Sequence, residues 1–481
     1  MKTLDKYDVN KKFWSTLTLL CALLPASFTI AQTTHVQILA ADIIERDPSI
    51  SDASRLIGDV KLGFGDAILT CDSAYRHEDG EFEVFSNVVV RQQPSTTLTS
   101  NYAVLFPDEQ LITVTEGVEF QHEEMHIECN TMFYELETKS VYYLERSKII
   151  EGNRTLESDY GTYRSASDRL YAGGNVIMIE NDDVIISDSL GLDRNDKTLL
   201  LFKSSHLNVG GAEIFCRQGR FNIETGTGWF SGDASIRDSG GMLAGDSIAV
   251  SRDDNYGTAW GNVMVEDSTG NMTVTGVYAN RWDDNDIVKG DTLQKAIATN
   301  IENGDTLILS TDELMRNGDW LYATGTVKFS QDSFAGMGDS LSWNMEGDEV
   351  WLLRNPVVWA KGDELRGDTV VMTLSDNKPS SLSLLNNALV LSVANDSLQN
   401  LISGKRLDAR FFNGKLHQVD VTGNGNVEYY LLDDPANISI NKATCSHIRM
   451  LFNEGDVEKI ILLTSPEGSI GPSESPDEQK P

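Results

Sequence analysis

The chain has 481 residues, with 73 acidic against 39 basic side chains, 40% hydrophobic residues and 39 glycines. That length allows two to four ordinary domains or one elongated repeat array, and the hydrophobic fraction is too high for a disordered chain. A net charge of −34 excludes nucleic acid as a partner and opposes docking on an anionic lipid surface, but places no constraint on an apolar ligand held inside.

The first 31 residues read as a secretory signal peptide. Lys2, Lys6, Lys11 and Lys12 make a basic start, and Phe13 to Leu24 form an apolar run shorter than the roughly 20 residues a spanning helix needs. Thr29-Ile30-Ala31 offers small residues at the cleavage positions, so the expected mature start is Gln32. The mature chain keeps Cys71, Cys129, Cys216 and Cys445. An exported protein could pair them, but the absence of CxxC or a Cys/His cluster argues against structural zinc. The first three share one repeat position, which suits small core residues.

That repeat has a period of 29 residues. Stepping from Asp72 gives Asn101, Asn130, Asp159, Asp188, Arg217, Asp246 and Thr275. Three residues before each stand Leu69, Leu98, Ile127, Leu156, Ile185, Ile214, Leu243 and Met272, all apolar. Seven equal steps mark an internal repeat, which outranks any local motif. A second signal is a turn pair followed by an apolar run, as in Gly58-Asp59-Val60, Ser86-Asn87-Val88 and Gly174-Asn175-Val176. It recurs as Gly325-Thr326-Val327, Asn355-Pro356-Val357, Asn386-Asn387-Ala388 and Gly425-Asn426-Val427. Repeats therefore fill residues 32–280 and continue with insertions over 281–464, either as one array or as a second domain. Asn280 to Asn303 and Ser392 to Leu401 read as added loops, and 465–481, with four of the eleven prolines, as a disordered tail.

Each unit reads as two strands rich in β-branched and aromatic residues, and no segment sustains a helical period. The expected fold is all-β. Relative to Asp72, the apolar positions are minus three, plus two and plus four, which strict alternation cannot put on one face. A bend or bulge at the Asp resolves this, and stacked bent strands make two facing sheets with a continuous apolar interior, an elongated folded sandwich. The Asp column reads as a bend residue bonding local backbone, not a Ca²⁺ ladder, since Arg217 and Thr275 interrupt it.

Several motifs read as coincidences. His122-Glu123-Glu124-Met125-His126 matches HExxH, but that zinc chemistry needs a helix and here the segment connects two strands. Arg366-Gly367-Asp368 contains simply the repeat Asp. The acidic runs Asp283-Asp284-Asn285-Asp286 and Asp193 to Asp196 read as solvated loops rather than cation sites. No nucleophile, metal site or cofactor site is indicated, so the chain reads as non-enzymatic.

At Leu69-Thr70-Cys71-Asp72-Ser73-Ala74-Tyr75, with Gly58-Asp59-Val60 before and Asn87-Val88-Val89-Val90 after, the sequence resembles the OstA-like family. That family is related to the lipopolysaccharide-transport bridge protein LptA and to the N-terminal domain of LptD. The cadence covers most of residues 40 to 463. The resemblance implies a β-jellyroll whose groove carries lipid A acyl chains across the periplasm, with homologous jellyrolls as end-to-end partners. The expected location is the periplasm, with association to the outer or inner membrane through partners. No membrane barrel follows, unlike LptD, and the chain is much longer than LptA. The column Leu69, Leu98, Ile127, Leu156, Ile185, Ile214, Leu243 and Met272 is the expected lipid lining. The competing readings are a β-helical polysaccharide-degrading enzyme, which would need a local cluster of charged residues, and a structural or adhesive β-rod.

Overall fold

Each repeat makes two strands with a break in the middle, and the break shows why the sequence alternates as it does. In the pair Arg169–Glu180 and Asp183–Asp193, Gly173 lies opposite Ser189 and Val176 opposite Ser187, so Gly174 and Asn175 together face Asp188 alone. This two-against-one bulge bends the ladder. The buried positions on the Asp strand change parity across it, from Ile185 and Ser187 to Leu190 and Leu192. Gly174 and Asn175 both take positive φ, +72° and +47°, as do Ser86 and Asn87 or Gly232 and Asp233 in their units. That conformation selects Gly and Asn.

The Asp column fastens these bulges. Asn175 Nδ2 donates to Asp159 Oδ2 at 2.7 Å, and Asn87 to Asp72, Asn262 to Asp246 and Asn387 to Asp368 do the same at 2.8 to 3.0 Å. Where the column carries Arg217 the turn residue is Asp233, and the two form an ion pair at 2.6 Å. The column is a structural seam.

The computed structural model describes residues 35–46 and 53–472, apart from 94, 253, 284, 303–304, 332–333, 361, 376–377, 396, 413–414, 432–437 and 454–455. Among them are 38 strands and no helix, and the pairings are antiparallel. The expected signal peptide and its cleavage point lie outside the described residues. The chain divides into two compact units, Met1–Glu116 with Phe133–Glu137, and Gly117–Met132 with Thr138–Pro481. Strand pairing continues through residue 280 without a break: Met272–Trp282 pairs with both Asn285–Lys289 and Ala296–Glu302.

In the second unit the bends fold the sheet into two facing halves, each with an inward ladder of directly opposed residues. One runs from Ile127 through Ile149, Leu156, Met178 and Ile185 to Gly468. The other runs from Phe230 through Ile248, Leu314, Leu341 and Leu407 to Leu462. The first unit carries its own ladder, Leu62, Leu69, Val90 and Leu98. The folded sandwich of stacked two-strand repeats is thus the observed architecture.

Some expectations are corrected. Within the expected loop Asn280 to Asn303, Asn285–Lys289 and Ala296–Glu302 are strands, each paired with Met272–Trp282, and the described residues of Ser392 to Leu401 belong to the antiparallel pair Lys378–Asn395 and Leu398–Phe412. The tail is not disordered over Glu467–Pro472, which pairs with Ser439–Thr444. Thr464 and Ser465 take positive φ and supply one more turn pair, so the repeat continues one strand further than its composition suggested. In the strand Lys415–Leu431 the turn pair is Gly423-Asn424, with φ of +77° and +53°, two residues before the expected Gly425-Asn426. The acidic run 283–286 is not wholly solvated either: Asp286 is 6% exposed, held between Arg281 and Arg316 on the two flanking strands. In the run 193–196, Arg194 is buried.

Candidate functional site

The residues expected to form a lining belong to both units, Leu69 and Leu98 to the first and the others to the second. Leu69, Leu98, Ile127, Leu156, Ile185, Ile214 and Leu243 are all 5% exposed or less, whereas Met272 is half-buried. The ladder passes through Val274 instead, opposite Val265 and Ala298. The cause is a hairpin turn lengthened to Ser268-Thr269-Gly270-Asn271, against Ser239-Gly240 in the unit before. Those two extra residues carry the register two positions past the 29-residue step, and the bend moves from Thr275 to Val277, opposite Gly261-Asn262. The 29-residue step also names only every second rung. Val90, Ile149, Met178, Leu207 and Val265 stand between the expected residues, and the apolar run two residues past each turn pair is the signal that marks several of them.

The residue one place before the bend is small and mostly buried, as expected for the cysteines: Cys71 and Cys216 are buried, Cys129 is half-buried, and all are free thiols, like Cys445. Burial pushes the Cys71 and Cys129 thiols up to about 12 and Cys216 up to about 11.

Four residues past the bend, the sequence places aromatic side chains with polar tips, and in two units these meet partners at the strand ends away from the bend. Tyr134 donates to Gln92 on the facing half, and Gln92 in turn bonds Asp66. Tyr163 donates to Asp168 at 2.9 Å and lies beneath Arg194, whose guanidinium is 5.7 Å from the ring centre. Arg194 Nε donates to Glu151 at 3.0 Å, so this ion pair ties the two halves together, and Arg154 adds a second contact to Glu151 at 3.3 Å. Burial opposes the charge on Arg194, but the hydrogen bond and charge of Glu151 outweigh it and hold the guanidinium protonated. In the second unit Tyr143, Tyr163, Phe120 and Phe230 are fully buried, so their stretch of its interior is filled by side chains.

Further along, the interior opens. Between Leu309, Phe329 and Phe334 on one half and Leu341, Trp343 and Met372 on the other is an apolar cleft of about 480 Å³ including its mouth. Gly336, opposite Phe329 in the ladder, leaves room for that ring, since a Cβ there would come 2.4 Å from it.

His122 and His126 belong to the strands Leu111–His122 and Met125–Glu135 on either side of a tight turn, and Glu123 has φ +53°. No helix carries this motif. His122 lies against Tyr163, with ring centres 5.5 Å apart, and burial lowers its pKa. Among the described residues, no three His, Cys, Asp or Glu side chains converge to hold a metal ion. Asp368 of the Arg-Gly-Asp tripeptide accepts from Asn387, as a repeat Asp should.

The family of OstA-like proteins matches residues 33–188. No curated protein matches the chain. Among solved structures, LptH of Pseudomonas aeruginosa, titled the LptA-homologous periplasmic component of the lipopolysaccharide transport device, aligns at 17% identity and a TM-score of 0.20, covering 30% of this chain and 94% of that one. Over residues 33–188, therefore, the chain is similar to OstA-like proteins.

Proposed function

We propose that the chain is a non-enzymatic periplasmic protein of lipopolysaccharide transport to the outer membrane, holding acyl chains in its apolar interior. The observation that carries this reading is the inward ladder from Ile127 to Gly468, faced by a second ladder on the opposite half-sheet. Acyl chains leave water only where apolar surface is continuous, and stacked identical rungs supply it. The OstA-like match over residues 33–188 supports the same class. Its partners would be lipopolysaccharide or lipid A and other jellyrolls of the transport bridge. Export would come from the leader ending at Ala31.

One observation favours a second reading, a structural or adhesive β-array. The stretch around Tyr143, Tyr163 and Phe230 is filled by its own aromatic side chains, so a lipid path there requires them to move. Photo-crosslinking in cells separates the two. A photoreactive residue at Leu156 or Ile185, both buried, should capture lipopolysaccharide, while the same probe at exposed Asp188 should not. Equal capture at both kinds of position, or none at either, refutes the transport reading.

A further inference from the structure

Of the aromatic side chains four residues past the bend, Trp343 stands in the same repeat position as Tyr134, counting from Asp339 as from Asn130. Tyr134 has its acceptor in Gln92. Gln331 also lines the cleft, yet Trp343 Nε1 is shielded from water and has no hydrogen-bond partner. Trp343 is 7% exposed. An indole N–H can only donate, and leaving a buried donor unmatched is unfavourable, so native structures rarely keep one without a reason.

The surroundings specify what would match it. Trp343 and Gln331 are the only lining residues with polar side-chain atoms; the rest are aliphatic, aromatic, Met and Pro. The lining holds no cation, in a chain of net charge −34, which disfavours a free carboxylate. A mostly apolar cleft with one or two polar groups is the usual form of a small-ligand site. We propose that it binds a single acyl chain with a neutral ester or amide carbonyl, the alkyl part packed between Phe329 and Met372 and the carbonyl accepting from Trp343 Nε1–H. This rests on the reading that the interior holds acyl chains. It adds a discrete station, outside the family-matched residues, that recognises the linkage as well as the chain.

Binding of radiolabelled methyl laurate and of methyl dodecyl ether, which lacks the carbonyl, to the full-length mature protein tests it. The wild type should bind the ester roughly tenfold more tightly than the ether, the worth of one hydrogen bond. Trp343→Phe should remove that preference while binding the ether unchanged, and Leu341→Trp should weaken both ligands. The Trp343 indole proton, assigned by its loss in Trp343→Phe, should shift in NMR spectra with the ester and not with the ether, which reports on the wild-type fold. Equal affinities for ester and ether, or a preference that survives Trp343→Phe, overturns the proposal. If the ester preference holds while Leu156 and Ile185 capture no lipopolysaccharide, the transport reading falls and the acyl site stands.

Discussion

Arg194 offers the sharpest test of how the two halves are held together. Its side chain is 6% exposed and reaches from one half-sheet to Glu151 on the other, with Asp168 and the Tyr163 hydroxyl as further partners. Arg194→Met keeps much of the volume and removes the charge. Breaking a buried pair by deleting one partner costs about 3–5 kcal/mol when the remaining charge is stranded. Here Glu151 keeps Arg154 at 3.3 Å and Asp168 keeps the Tyr163 hydroxyl at 2.9 Å, so the lower end, about 3 kcal/mol, is expected. In a repeat array that loss should stay local. Hydrogen exchange read by mass spectrometry should show protection falling roughly 100-fold in peptides covering Ser147–Glu151 and Asp183–Asp193, and little change beyond residue 300. Adding Glu151→Gln should cost less than the sum of the single changes, with a coupling of about 1–2 kcal/mol. A protection loss below tenfold, or one spread evenly along the chain, would refute the idea that this pair locks the halves.

Ile185→Ala should destabilise by about 2–4 kcal/mol in chemical denaturation, since Ile185 is 2% exposed between Met178 and Leu207; a cost under 1 kcal/mol would mean the ladder is not packed core. Gly174→Ala should cost about 1–3 kcal/mol by the same measurement, because φ is +72° and a Cβ would meet Asp159 at 2.8 Å. The thiols Cys71, Cys129 and Cys216 should resist iodoacetamide at pH 8 in the folded protein and label only on unfolding, because burial keeps them protonated; rapid native labelling would contradict that. Burial disfavours the charge on Asp420, but bonds from Arg449, Gln418 and His447 hold its carboxyl below its usual value. A carboxyl lowered in the folded state contributes stability that is present above the unfolded value near 4 and lost as pH falls through the folded one, so acid should open Leu398–Phe412 and Ser439–Asn453 below about pH 4. Exchange protection there that is flat from pH 6 to pH 3 would refute it.

Much of this fold was written along the chain. A strict period, a column of Asp and Asn, and turn pairs of Gly-Asn or Gly-Asp are local features, and each has a local cause: bend geometry, positive φ and a side-chain bond to the neighbouring turn. Hence the all-β class, the parity change at the bend and the burial of Leu69 through Leu243 could be read before any coordinates. Register is different, because it accumulates turn lengths. Two extra residues between Asp267 and Met272 moved the column from Met272 to Val274, and composition alone hid the strand Glu467–Pro472 behind prolines and serines. The interior depended least on sequence neighbours. Gln92 with Tyr134, Glu151 with Arg194, and the unpartnered indole of Trp343 all depend on which rungs face each other across the sandwich. Facing across a sandwich joins residues with no fixed spacing in the chain, so only the tertiary structure could decide where the interior is filled and where it opens.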